Sequence, residues 1–164
     1  MQKEYNLSHT NVERHGHLPD LLPEQYEADF YSWTLQQAAL LKAGKFAELD
    51  LNNLIEEVES MGRSEQRELE SRLTVLLLHL LKWKYQPVRR GKSWELTIKG
   101  QRIRFAKVLK SNPGLKSRLP EILSDAYQLA VIKAAKETKL DETVFPAECP
   151  WKLEDITHSE FYPE

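Results

Sequence analysis

One cysteine, Cys149, is too few for an internal disulfide framework. Six glycines are thinly spread over 164 residues, which disfavours a loop-rich β fold. Apolar runs such as Val75–Leu78 fall far short of the roughly 20 residues a membrane helix needs. The start carries no apolar signal-peptide core. With the single thiol, this leads to the expectation of a soluble protein in a reducing cytoplasm. The missing motifs exclude more. There is no Glu-x-x-His pair of the kind di-iron bundles use. There is no serine elbow, no phosphate loop and no dinucleotide fingerprint. A standard hydrolase, nucleotidyl enzyme or dehydrogenase is therefore not expected.

What is present suits one folded domain. Hydrophobic residues make up 41% and charged residues 29%, close enough to globular averages to argue against global disorder. The net charge of −2 hides a dipole along the chain. Eight acids stand against three bases between Gly44 and Glu70, and ten bases against one acid between Lys82 and Lys110.

Residues 1–22 show no period and are read as an irregular arm, ahead of one helical domain over 23–164. Pro23 suits a first helical turn, and Tyr26, Phe30, Trp33, Leu40 and Leu41 share a side of a helix over 23–43. Gly44 is a natural stop. Asp50 is placed to cap a second helix over 50–61, with a narrow stripe of Leu51, Leu54, Ile55 and Val58. Gly62 is read as its left-handed end, and Ser64 as the cap of a third helix over 65–86. That helix repeats Leu69, Leu73, Leu76 and Leu80, while Val75, Leu77, Leu78 and Leu81 fill its other faces. A helix apolar all round must be surrounded, by its own domain or by another subunit. Pro87 ends it. Trp94, Leu96 and Ile98 alternate as a hairpin strand would. A helix over 92–111 instead places Trp94, Ile98, Phe105, Val108 and Leu109 together, and is preferred. A fifth helix over 119–138 presents Leu123, Ala126, Tyr127, Ala130 and Ala134. In the proline-broken tail, Phe145, Trp151, Leu153 and Ile156 are expected to pin to the bundle.

The strings YEADFYSW, FAELDLNNLIEEVESMG, RSEQRELESRLTVLLLHLLKWKYQPVRR, SWELTIKGQRIR and FPAECPW carry a resemblance. From about Tyr26 to Tyr162 the chain resembles the domain-of-unknown-function family number twenty-nine, found largely in cyanobacteria. The resemblance implies an all-helical fold and favours the helix over 92–111. It brings no activity, cofactor or catalytic residue to carry over.

Candidate chemistry is sparse. Glu56, Glu57 and Glu59 fit a solvated helix face better than half of a metal site. Glu59, Arg72 and His79 form a candidate polar cluster, the basis of an enzyme reading. A boundary histidine bonded to a carboxylate such as Glu59 is the simpler account. His15 and His17 are a poor metal pair, and Asp155 with His158 is little better. Cys149 reads as a packed small residue, because nothing nearby would lower its pKa. No catalytic residue, metal ligand or cofactor is assigned. The basic segment 82–110 interleaves cations with Trp83, Tyr85, Trp94 and Phe105. Arg89, Arg90, Lys92, Arg102 and Lys107 are its candidate nucleic-acid surface. The acidic overall balance (pI ≈ 6.2) opposes that reading. Pairing of the acidic helix with the basic segment, within the chain or between subunits, is preferred. The sequence thus leads to an all-α bundle of about five helices, with an irregular arm and a tail. It is expected to be a non-catalytic interaction or assembly module forming a homo-oligomer, guessed to be a dimer.

Overall fold

The computed structural model describes residues 22–164, with side chains from residue 25 onward. Among the described residues there are six α-helices and no strand. They are α1 (Leu22–Ala28), α2 (Phe30–Lys42), α3 (Leu51–Tyr85), α4 (Lys92–Ser111), α5 (Leu119–Thr138) and α6 (Leu153–Thr157). The fold class is all-α, and α4 settles the helix-or-hairpin question at the expected residues. The expected arm lies outside the described residues apart from Leu22, which opens α1. The chain divides into two compact units, the first ending at Glu56 and the second beginning at Glu57.

In the first unit, the expected helix over 23–43 is two helices. Asp29 leaves the helical region, and its carboxylate accepts the Ser32 amide at 3.0 Å as the N-cap of α2. Those hydrogen bonds lower the Asp29 pKa. A short side chain able to bond its own backbone ends one helix and starts the next. Gly44, at φ +69°, turns the chain after α2. The Gly44 amide donates to Leu41 O and the Lys45 amide to Leu40 O, which satisfies the last carbonyls. Trp33 is the apolar centre of this unit, with Tyr26 and Phe30 at ring distances of 4.9 and 5.7 Å. Asp50 caps α3 as expected, and also accepts Trp33 Nε1 at 3.1 Å and Asn53 Nδ2 at 2.7 Å. Its own amide donates to the buried Gln37 Oε1 at 2.9 Å.

Gly62 does not stop a helix. The expected helices over 50–61 and 65–86 are one helix of 35 residues, about 50 Å long at 1.5 Å per residue. Good helix formers flank the glycine, and the Glu59–Arg63 pair at 3.2 Å spans it. Ser64 therefore caps nothing. A Cβ on Gly62 would meet nothing within 4 Å. Gly62→Ala is expected to raise stability by roughly 0.5–1 kcal/mol through lost freedom of the unfolded chain. Denaturant unfolding measures it, and a destabilised variant would contradict a helical Gly62.

The second unit is built on the later part of α3. Leu69, Leu73, Leu76, Leu77, Leu80 and Leu81 are fully buried. Ile98 and Phe105 of α4 join this core, as do Ile122, Ala126, Tyr127, Ala130 and Ala134 of α5. The small residues of α5 permit close helix contact, and the Tyr127 hydroxyl donates to Pro146 O at 2.8 Å. The tail pins where the sequence suggests. Phe145 and Ile156 are buried, with Trp151 and Leu153 packed against the core. The apolar surplus on residues 73–81, which either the chain's own helices or another subunit could have covered, is covered inside the chain.

Candidate interaction surfaces

The tail explains much of the basic segment. Arg102 is only 7% exposed. Its guanidinium donates to the carbonyls of Ile156 and Ser159, both at 2.9 Å, and to that of Phe161. It also sits 5.4 Å from the Tyr162 ring. Arginine suits this role because its planar fork presents several donors in fixed directions. Arg90 donates to Trp83 O at 2.7 Å and to Pro163 O, and lies over the Trp83 ring. Trp83 in turn contacts Tyr162 at 4.8 Å. Lys84 donates to the Glu164 backbone oxygen at 3.0 Å. Lys82 pairs with Glu137 at 2.6 Å and lies 4.7 Å from the Trp94 ring. Trp83, Lys84, Arg90 and Arg102 therefore hold the chain's own residues 156–164.

The five residues of the candidate nucleic-acid surface separate accordingly. Arg102 is withdrawn from solvent, and Arg90 is engaged with the tail. Lys92 shares Glu95 with Lys99, at 3.3 and 2.8 Å. Those two cations hold the Glu95 carboxyl below its ordinary pKa. Arg89 and Lys107 are exposed.

The polar cluster is not assembled. Because Gly62 is helical, Glu59 and His79 lie 20 residues apart on one rod, about 30 Å along its axis. Glu59 pairs with Arg63, and Arg72 with Glu68 at 2.7 Å. His79 Nδ1 bonds to Val75 O at 2.9 Å, one turn back on its own helix. Burial pushes the His79 ring below its ordinary pKa, outweighing the Val75 carbonyl. Each member satisfies itself locally, so no base, orienting acid and cation converge.

The remaining reactive groups are similarly placed. Cys149 is half-buried, its thiol directed to Trp151 O at 3.5 Å, and burial pushes its pKa up. An open cleft of about 650 Å³ between α5 and residues 142–147 is lined mainly by apolar groups. Its Tyr127 hydroxyl is pushed up to about 12 by burial, which makes it a poor acid or base near neutrality. Among the described residues, no group of three or more His, Cys, Asp or Glu side chains is placed to hold a metal ion. His15 and His17 lie outside them. Asp155 and His158 are at the end of α6, where His158 Nδ1 accepts the Glu160 amide at 3.3 Å. No described helix is long and apolar enough to cross a membrane.

Sequence reasoning found an apolar stripe at the start of α3 but not that it is bare. Leu51, Ile55, Val58 and Met61, at the start of α3, are 56 to 67% exposed. At 100° per residue, Leu51, Ile55 and Val58 continue the line on which Leu69, Leu73, Leu76 and Leu80 are buried, with Met61 at its edge. The pattern was visible in the sequence. It reads as core there, because periodicity marks a face without saying whether anything covers it.

These features define an all-helical protein among the described residues. The chain belongs to the family described as Domain of unknown function DUF29, whose model matches residues 25–162. Among curated proteins and among solved structures, nothing matches it.

Proposed function

We propose that this chain is a non-catalytic assembly module that associates with protein through the first turns of α3. The exposed stripe Leu51, Ile55, Val58 and Met61 carries this reading. In the first unit, Phe30, Tyr31, Leu35 and Phe46 are exposed as well. Single exposed leucines are ordinary, but a run of apolar residues on one helix face marks a contact surface. The nucleic-acid reading keeps less support, because Arg90 and Arg102 are engaged with the tail.

Sedimentation velocity of the full chain tests the proposal. Wild type is expected to associate with rising concentration, while Val58→Asp remains at the 19.1 kDa of one chain with unchanged helicity. Val58 is exposed, so the substitution leaves the core alone. Monomeric wild type over the whole range, indistinguishable from the variant, would sink assembly through this stripe.

A further inference from the structure

We infer that the bare stripe of α3 docks on the outer face of α4 in a second copy of this chain. The inference rests on the assembly reading and adds the identity of the opposing surface.

On α4, Leu96, Gly100, Ile103 and Lys107 fall at i, i+4, i+7 and i+11, which is one helical stripe. Ile103 is 70% exposed and Leu96 more than half. Beside them runs a cleft of about 380 Å³ lined by Ser93, Leu96, Thr97, Gly100, Gln101 and Arg104. A Cβ on Gly100 would meet nothing within 4 Å, so the glycine leaves a notch in the surface and serves no close contact inside the chain. Small residues of this kind let a second helix approach closely. Gln101 is 7% exposed, and its Oε1 has no hydrogen-bond partner.

Charge selects the occupant. Arg104 and Lys107 are exposed and make no ion pair with another described residue. Glu59 flanks the apolar stripe of α3, in an exposed pair with Arg63. Two α3 stripes laid together would set carboxylates near carboxylates, whereas α3 against α4 sets acid against base. Complementary rims of this kind decide which faces meet more than how tightly they hold. The two stripes also match in length, each about 15 Å at 1.5 Å per residue.

Disulfide trapping distinguishes the possible contacts. Cys149→Ser removes the native thiol, and Val58→Cys and Ile103→Cys are introduced into separate full-length chains. On mild oxidation, the mixture is expected to cross-link about tenfold faster than either chain alone, because docking raises the effective thiol concentration. Cross-linking only between two Val58→Cys chains would overturn the α4 assignment while leaving assembly through α3 in place. Random, equal cross-linking with monomeric sedimentation would remove both.

Discussion

Arg102→Ala is expected to lower the unfolding free energy by roughly 3–5 kcal/mol, since one change strands three carbonyl acceptors in a buried or half-buried setting. Arg102 bonds to Ile156 O, Ser159 O and Phe161 O, and supports the Tyr162 ring. The melting temperature is expected to fall by about 10 °C. Hydrogen exchange should show the amides of 156–161 losing protection first. Arg102→Lys is expected to recover little, because an ammonium on a flexible stem cannot hold three divergent carbonyls in the guanidinium geometry. A variant within about 0.5 kcal/mol of wild type by urea unfolding would mean that water replaces the side chain, as it does at ordinary surface positions.

Trp33→Ala is expected to cost about 3–5 kcal/mol locally, as deletion of a fully packed indole does. The loss should be confined to the first unit. Trp33 contacts Tyr26, Phe30 and Asp50, all before residue 57. Amides of α2 should exchange freely while those of α4 and α5 keep their protection. Trp33→Phe keeps a ring and removes the N–H, which isolates the bond to the Asp50 carboxylate at about 1.5–3 kcal/mol. Equal loss of protection throughout the chain would show that the two units unfold as one.

Much of the fold was legible in the sequence, because Gly91 and Asn112 bound α4 and Pro120 sits in the first turn of α5. The leucine repeat of α3 likewise identified the centre of the core. Two boundaries failed for opposite reasons. At Asp29, a side chain able to cap its own backbone broke a helix that periodicity had carried through. At Gly62, a residue that commonly ends helices was carried through by its neighbours and by the Glu59–Arg63 pair. The second failure also misplaced the site. With a turn at Gly62, Glu59 could fold back toward His79; on a straight rod it cannot. Arg102 was misread because its burial depends on residues 54 to 59 positions later, which no local window contains. Whether the stripe at 51–61 was covered depended equally on long-range packing.

The clamp at Arg102 also orders events during synthesis. α4 can form as a helix soon after it emerges, but the guanidinium it carries lacks its full set of carbonyl partners until residue 161 has left the ribosome. Meanwhile Arg102, Arg90 and Trp83 face water, and part of the core lacks Ile156 and Phe145. Closing a loop of more than fifty residues costs entropy that only the completed contacts return. The nascent chain therefore keeps a basic face open until residues 156–161 emerge to cover it.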